Sequence, residues 1–454
     1  MKGKGSDCGS CYTCENGIIP SVTADMMKSV LDSCEQTQIP KKWLTENIGN
    51  CEKCVTCEKG YGGEPKQEQC KIGLQDNKKG PKPISVTYFL FPTNECNLRC
   101  TYCYATKQPY VMSQETLSKT LDFIFNRDRQ RFKEKGELQP RSINIQFFGG
   151  EPTICWDTIV KAVEVGNKIV DKTETVRWGM TTNCTLLNRE KLRWLRHNNF
   201  KLLLSIDGPP AIHDKHRKTV AGKGSSHMIP INLLAEYFPN CEIRPTITPE
   251  TVESFPGTLK WFYSKEFFTV ATEVAYEADW TDEAMEKARK TYYELAQIYI
   301  KRKNARLPLW MKFIEDGRSS LGKVRQRGGV CGTGERSLAI DGLGFFYSCQ
   351  RYASFSDRSI ALGNVVSGFD EKKLAVANDF KREYMQPEPN GDFFCDECPA
   401  LWRCKGGCNA MNYQVTGDRK FVMENHCKFQ RLWAEMGLMA LSATGELWDA
   451  FKRR

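Results

Sequence analysis

The sequence predicts an α/β fold in which an incomplete parallel barrel of six strand–helix units lies between two cysteine-rich regions. From Ile84 onward, short apolar runs alternate with segments of helical period, which is the pattern of βαβ units and a parallel sheet. Cysteines are dense on both sides of this part, and 21 of them occur among the 454 residues. A hydrophobic content of 40% and a charged content of 26% are typical of a globular chain, long enough for two or three domains.

The strand and helix candidates follow one another regularly along the chain. The predicted strands are 84–91, 143–148, 176–180, 201–206, 242–247 and 268–274, and the main predicted helices are 113–127, 156–170, 189–197 and 251–263. Parallel barrels carry their chemistry on the loops at the carboxyl ends of the strands. We therefore expect the functional residues of region 84–310 to follow these strands.

The loop after the first strand contains three cysteines in a CxxxCxxC spacing: Cys96, Cys100 and Cys103. About 0.04 matches to this spacing are expected by chance in a chain of this cysteine content. Three thiolates can hold three irons of a 4Fe-4S cluster and leave the fourth iron without a protein ligand. A zinc site or buried structural cysteines are the alternatives.

A second group of cysteines occupies region 325–430. Its members are Cys331, Cys349, Cys395, Cys398, Cys404, Cys408 and Cys427. The four at 395–408 occur in a C-x2-C-x5-C-x3-C spacing, for which about 0.002 chance matches are expected. Clustered CxxC elements in a chain of this length indicate bound metal, and zinc is one structural possibility. The remaining residues, 431–454, are predicted as a C-terminal helix.

On these motifs the chain resembles the radical S-adenosylmethionine (SAM) enzymes that carry a C-terminal SPASM domain, the peptide maturases and anaerobic sulfatase maturases. The resemblance implies that Cys96, Cys100 and Cys103 ligate the cluster that binds SAM, and that Tyr102 lies against the adenine. It also implies a 5′-deoxyadenosyl radical as the reactive species. Tyr102 could instead be an ordinary loop aromatic.

The loops after the next strands carry further cofactor-binding candidates. The second loop contains Gly149-Gly150-Glu151, in which glycines allow close backbone approach and a carboxylate can accept hydrogen bonds from an ammonium. The resemblance implies that this loop binds the amino group of SAM. It further implies ribose and carboxylate contacts from Ser205, Asp207 and Arg217 after the fourth strand. The Gly149-Gly150-Glu151 turn could also be a plain loop.

One position in the third loop departs from the pattern of the family. Cys184 stands where relatives usually carry glycine, and it is predicted either as a small buried residue or as a thiol near the active site. Two histidines of the fourth loop, His213 and His216, have no companions for a metal site. They are expected to lie at the surface or to stabilise the loop.

The SPASM resemblance implies two auxiliary 4Fe-4S clusters, and hence three clusters in the chain. The outer cluster would be ligated by Cys395, Cys398, Cys404 and Cys427, and the inner one by Cys331, Cys349 and Cys408. Fully ligated relatives have one more cysteine just before the first of the seven, and residues 321–330 contain none. The inner cluster is therefore predicted to have an open or non-cysteine fourth site, which could accept a substrate thiolate.

The N-terminal segment 1–80 contains eight cysteines in two similar sets. Cys8, Cys11, Cys14 and Cys34 form the first set, and Cys51, Cys54, Cys57 and Cys70 form the second. Either set suits an additional iron–sulfur cluster or zinc. Thiols with another role, including substrate-like cysteines, are the alternative.

The function that the resemblance implies is that of an oxidoreductase that installs a thioether or carbon–carbon crosslink in a ribosomally made peptide. The alternatives are oxidation of Cys or Ser to formylglycine, as in sulfatase maturases, and a non-catalytic iron–sulfur electron carrier. The expected partners are a peptide or protein substrate and an electron donor such as flavodoxin or ferredoxin. No catalytic acid or base is assigned.

Charge and hydropathy exclude other classes of partner. The formal charge of +10 is spread over interleaved acidic and basic residues, so a nucleic-acid partner is not expected. No run of 18 apolar residues and no apolar signal core occurs, so no membrane association is expected and the protein is predicted to be cytoplasmic.

Overall fold

The computed structural model of the chain describes residues 85–134, 141–172, 174–320, 332–383, 398–404, 406–419 and 422–447. Across these residues the fold is α/β with a mainly parallel sheet, as predicted. The cysteine-rich segment 1–80 and two cysteines of the C-terminal group, Cys331 and Cys395, lie outside the described residues.

The strands are short, and many are only two residues long. They are β1 (Ser85–Leu90), β2 (Arg141–Phe147), β3 (Glu174–Thr182), β4 (Lys201–Leu204), β5 (Glu242–Ile243), β6 (Thr246–Ile247), β7 (Thr269–Val270), β8 (Glu273–Val274), β9 (Trp310–Met311), β10 (Ser337–Ile340), β11 (Phe346–Tyr347), β12 (Gly363–Asn364) and β13 (Gly368–Phe369).

The α-helices are α1 (Gln114–Glu134), α2 (Trp156–Ile169), α3 (Arg189–His197), α4 (Pro210–His216), α5 (Ile231–Tyr237), α6 (Phe255–Ser264), α7 (Asp282–Asn304), α8 (Lys312–Ser320), α9 (Gln350–Ser354), α10 (Glu371–Glu383), α11 (Asn409–Thr416) and α12 (Glu424–Ala443). Short 3-10 helices span Pro152–Cys155, Ser226–Met228, Val252–Ser254 and Arg358–Ile360. None of the described helices combines the length and apolar character needed to cross a bilayer.

The main sheet has nine strands in the order β11-β10-β1-β2-β3-β4-β5-β7-β9. From β10 to β9 every neighbouring pair is parallel, and β11 joins the edge antiparallel to β10. Strands β1 to β5 and β7 follow chain order, because each strand returns through a connection that packs on the same face. Their carboxyl ends therefore meet at one edge, where the candidate motifs lie.

Side chains alternate along β1 between the helical layer and the barrel interior. Val86, Tyr88 and Leu90 are buried, whereas the residues between them are less so. Burying an aliphatic or aromatic side chain contributes about 1.5–3 kcal/mol. This layer between sheet and helices fixes the position of each strand end.

The predicted fifth and sixth strands are each divided in two. Pro245 separates β5 from β6 because it has no N–H to donate to the ladder. The neighbouring strand is interrupted at the same level, between β7 and β8. Backbone hydrogen bonds still join the two segments there, from the Ala271 amide to the Ile243 carbonyl at 2.8 Å and from the Glu273 amide to the Pro245 carbonyl at 2.9 Å. The second halves form a separate parallel pair, β6–β8.

The sheet extends beyond the six predicted strands at both edges. Strand β10, from the cysteine-rich C-terminal region, pairs in parallel with β1, and Leu338 lies opposite Tyr88. Strand β9 extends the other edge next to β7. The C-terminal region is thus joined to the barrel by a shared sheet.

The C-terminal helix begins earlier than predicted. Helix α12 spans Glu424–Ala443, so the boundary expected at residue 430 falls inside it. Its buried face includes Phe429, Leu432 and Trp433, and it packs against α7 and α8. Cys427 is therefore held in the first turn of a helix that contacts the barrel.

Candidate active site

The cysteine loop, residues 91–107, follows β1 and carries the three predicted cluster ligands. Cys96 is buried, Cys100 is half-buried and Cys103 is exposed. The Leu98 amide donates to Cys96 Sγ at 3.4 Å, and Lys107 Nζ donates to Cys103 Sγ at 3.0 Å. Burial raises the pKa of the Cys96 thiol to about 11. Binding a metal or cluster would replace that proton.

This donor set fits an iron–sulfur cluster in its chemistry. Three thiols lie on one loop, and N–H groups bond to two of the sulfurs, as protein donors do around such clusters. Among the described residues, no three Cys, His, Asp or Glu side chains already surround a common metal position. The thiols would therefore reach a shared cluster by rotating about their Cα–Cβ bonds.

The glycine loop, residues 148–151, packs directly on the backbone of the cysteine loop. The amides of Gly150 and Glu151 donate to the carbonyls of Thr93 and Glu95 at 3.1 and 2.9 Å. A Cβ on Gly149, which has φ +121°, would lie 2.2 Å from the Thr93 carbonyl oxygen. The backbones of the two loops are thus packed so closely that a side chain at Gly149 or Gly150 would disrupt their contact.

Glu151 is buried at the centre of the site, and its carboxylate joins the second and third loops. Oε1 accepts hydrogen bonds from the Thr153 amide, the Thr153 hydroxyl and the Thr182 hydroxyl at 3.1, 2.5 and 2.8 Å. Oε2 accepts from the Asn183 amide at 2.7 Å. Burial raises the pKa of the carboxyl, although these bonds oppose the shift. Oε2 has a second lone pair that could accept from an ammonium.

Asn183 links the third loop to the cysteine loop, a role that sequence reasoning missed. Its Nδ2 donates to Asn97 Oδ1 at 2.9 Å and to Cys96 Sγ at 3.8 Å. Its Oδ1 accepts from the Thr185 hydroxyl at 2.7 Å. Next to it, Cys184 is fully buried in the core with φ +68°. A left-handed backbone at this position is the conformation that glycine adopts most readily.

Asp207, at the end of the fourth strand, forms a closed cluster with Tyr102 and Arg217. Asp207 Oδ2 accepts from the Tyr102 hydroxyl at 2.5 Å, and Oδ1 accepts from Arg217 Nη2 at 3.0 Å. The Thr246 amide also donates to Oδ1, at 2.9 Å. Burial raises the pKa of Tyr102, so its hydroxyl stays protonated and donates. The guanidinium lies 5.6 Å from the centre of the Tyr102 ring.

Residues 90–262 match the sequence model of the radical SAM superfamily. The matched range begins at the end of β1 and covers the cysteine loop, the glycine loop, Asn183 and the Asp207 cluster.

The chain carries a radical SAM domain.

Two curated relatives resemble the chain, and the first extends the similarity beyond this domain. The cysteine-type anaerobic sulfatase-maturating enzyme of Clostridium perfringens is 25% identical over 341 residues, which cover 69% of this chain and 85% of that protein. The radical SAM cyclopropyl synthase TigE of Paramaledivibacter caminithermalis is 26% identical over 143 residues, 30% of this chain and 29% of that protein.

A solved structure shows the same fold. Native anSMEcpe with bound AdoMet and Kp18Cys peptide superposes with a TM-score of 0.64 at 20% identity. The match covers 79% of this chain and 99% of that one. The superposed part exceeds the radical SAM domain.

The radical SAM domain thus brings most of the predicted cofactor residues to one edge of the sheet. Gly149, Gly150 and Glu151 contact the cysteine loop or the third loop, and Tyr102, Asp207 and Arg217 contact one another. Ser205 is half-buried, and its amide donates to the Thr182 carbonyl at 2.9 Å. The individual SAM contacts assigned to these residues remain predictions.

The side chain of His213 stabilises the Asp207 cluster through hydrogen bonds. The ring Nδ1 accepts from the Asp207 amide at 3.3 Å, and Nε2 contacts the Ser225 hydroxyl at 3.1 Å. That hydroxyl donates to the Arg217 carbonyl at 2.7 Å, so Nε2 must carry the hydrogen. His213 therefore stabilises the loop as a neutral ring.

The position of His213 predicts acid sensitivity of the fold. Burial lowers its pKa to about 4, whereas an unfolded histidine titrates near 6.5. Between these values the unfolded chain binds the extra proton, so stability falls as pH drops. The loss from pH 7.5 to pH 5 is about 2 kcal/mol. Thermal unfolding of the metal-free protein at both pH values should show a smaller difference in His213→Gln, and an unchanged difference would contradict the assignment.

Replacing Gly150 should disrupt the contact between the two loops. An added Cβ would lie 2.0 Å from the Glu95 carbonyl oxygen, a backbone atom that cannot move aside alone. We expect Gly150→Ala to lower the melting temperature and to abolish SAM cleavage. Gly257→Ala is the matched control, because Gly257 lies in α6 with nothing within 4 Å of the new Cβ. Equal activity of the two variants would contradict the loop–loop contact.

Two cysteines of the predicted inner cluster lie together at the C-terminal edge of the site. Cys349 precedes α9 and Cys408 precedes α11, and both pack against one apolar cluster that contains Phe91 and Tyr352. Cys398, Cys404 and Cys427 are half-buried. Ligation by these cysteines remains a prediction.

Arg351 connects this edge to the radical SAM domain. Its guanidinium lies 4.1 Å from the centre of the Tyr104 ring, next to Cys103, and donates to Gln414 at 2.8 Å. It also forms an ion pair with Glu277, which follows the sixth strand. Glu277 is therefore an exposed carboxylate that pairs with Arg351.

Proposed function

We propose that this protein is a radical SAM enzyme that modifies a peptide by forming a thioether or carbon–carbon crosslink. The observation that carries the proposal is the cysteine loop itself, which presents three thiols beside the glycine loop and Glu151. When bound, a 4Fe-4S cluster with SAM supplies one-electron cleavage of the sulfonium and hence a 5′-deoxyadenosyl radical.

The residues of the chain would hold and orient SAM in this reaction. Oε2 of Glu151 can accept from the amino group, and Asn183 fixes both that carboxylate and Cys96. The hydrogen bond from Tyr102 to Asp207 holds this side chain of the cysteine loop in place, where its ring could lie against adenine. Holding reactants in such a geometry can supply several kcal/mol of the barrier.

Peptide substrates are supported by the relatives. The superposed anSMEcpe structure contains AdoMet and a Kp18Cys peptide, and TigE is named a radical SAM cyclopropyl synthase. Cys349 and Cys408 lie beside the cysteine loop, where an auxiliary cluster could accept an electron from a substrate radical. An oxidative crosslink needs such an acceptor, because two hydrogens leave as one bond forms.

Formylglycine formation is the second candidate. It is favoured by the Clostridium perfringens relative, whose similarity extends over 341 residues. The absence of a cysteine in 321–330, where fully ligated maturases have their eighth, favours the crosslink instead.

Mass spectrometry of a candidate peptide distinguishes the two reactions. The peptide is incubated anaerobically with reconstituted protein, SAM and a reductant. A crosslink predicts a loss of about 2 Da per bond, and oxidation of Cys to formylglycine predicts a loss of about 18 Da. Oxidation of Ser also removes about 2 Da, so the product is treated with a hydrazide, which captures only the aldehyde. A captured product would replace the crosslink by formylglycine formation.

A further inference from the structure

Lys107 is a basic residue of the cysteine loop that the cofactor predictions do not use. Its Nζ lies 3.0 Å from Cys103 Sγ. The ammonium is therefore in direct contact with one of the three thiols of the loop.

The backbone around Lys107 is fixed by the C-terminal region. The Thr106 amide donates to the Ser354 carbonyl at 2.9 Å, and Gln414 Nε2 donates to the Tyr104 carbonyl at 3.0 Å. These bonds come from α9 and α11, the helices that follow Cys349 and Cys408. The position of Lys107 thus depends on the docking of that region to the barrel.

Other cations near the loop are engaged elsewhere. Arg99 bonds to Glu95 at 2.9 Å and to the Cys96 carbonyl, and Arg217 bonds to Asp207 at 3.0 Å. Among the basic side chains described around this loop, Lys107 is the one with a hydrogen bond to a cysteine sulfur. Hydrogen bonds and charge at the sulfurs set the reduction potential of iron–sulfur clusters.

We propose that Lys107 raises the reduction potential of the cluster bound by the cysteine loop and so makes its reduction by the electron donor easier. The inference rests on the proposed function. In the reduction step a one-electron donor, either dithionite or a flavodoxin-type protein, is oxidised by one electron and the cluster gains it. The added negative charge is stabilised by the ammonium beside Cys103.

The test is an anaerobic redox titration of the reconstituted full chain, followed by electron paramagnetic resonance. The signal that is missing in Cys100→Ala identifies the cluster of the cysteine loop. At a fixed donor potential, Lys107→Gln should lower the ratio of reduced to oxidised cluster about three- to fivefold, as expected for a partly exposed charge contact. Lys107→Arg should retain the wild-type ratio.

The matched control is Lys119→Gln, which removes an exposed lysine of α1 that pairs with Glu115. An unchanged midpoint in Lys107→Gln would overturn the proposal. A midpoint in Lys107→Arg that moves as far as in Lys107→Gln would also overturn it, because the charge is kept. If the wild-type protein assembles no cluster that Cys100→Ala lacks, the proposed function fails instead.

Discussion

Replacing Cys100 by alanine should reduce formation of 5′-deoxyadenosine from SAM to the level found without protein. Cys100 is the middle of the three thiols on the cysteine loop, and a cluster with only two protein ligands there would not be retained to bind SAM. Cys100 is half-buried, so the loss of one sulfur should change the free energy of unfolding by no more than about 1 kcal/mol.

Cys241→Ala is the matched control for this experiment. Cys241 is buried directly before β5, at the opposite end of the strand from the site, and burial raises its thiol pKa to about 12. Its replacement should leave SAM cleavage intact. If Cys100→Ala cleaves SAM as fast as Cys241→Ala, the cysteine loop does not hold the reactive cluster. Product is measured by chromatography after anaerobic incubation with dithionite.

Replacing Asp207 by alanine should have the largest effect on stability among the site variants. Asp207 is 3% exposed and Arg217 is 7% exposed, so the variant leaves a buried guanidinium without its carboxylate. The Tyr102 hydroxyl and the Thr246 amide lose an acceptor at the same time. Removing one partner of a buried ion pair costs about 3–5 kcal/mol.

A double-mutant cycle tests this interpretation. Adding Arg217→Met to Asp207→Ala should restore part of the lost stability, because the unpaired charge is removed. The exposed pair Arg189–Glu236 serves as a control, since Glu236→Ala should cost no more than about 1 kcal/mol. Thermal unfolding of the metal-free proteins measures all four variants. Strictly additive effects of the two site substitutions would contradict a direct Asp207–Arg217 interaction.

The local periodicity of the sequence predicted the strand–helix alternation well. Helix α3 has the predicted ends, and its start is fixed by Asn188, whose Oδ1 accepts from the Lys191 amide at 2.9 Å. Pro245 was a visible signal against one continuous fifth strand, and the prediction overlooked it. The pairing of β10 with β1 joins residues about 250 positions apart, and no local pattern encodes such a contact.

The candidate site was predictable in its residue types but not in its partners. The motifs placed Tyr102, Asp207 and Arg217 near the ends of strands, yet only the structure shows that they bond to one another. Gly149 and Gly150 were expected to let a ligand approach, and the structure shows the close approach of the cysteine loop. Which atoms face each other depends on how neighbouring loops pack, and composition and spacing do not specify this.

Formation of 5′-deoxyadenosine by the wild-type protein tests the central claim most directly. The protein is reconstituted anaerobically with iron and sulfide, reduced with dithionite and incubated with SAM, and the products are separated by chromatography. A radical SAM enzyme with its cluster on Cys96, Cys100 and Cys103 predicts 5′-deoxyadenosine and methionine in equal amounts. Intact SAM in a preparation whose reduced cluster is visible by electron paramagnetic resonance would contradict the account.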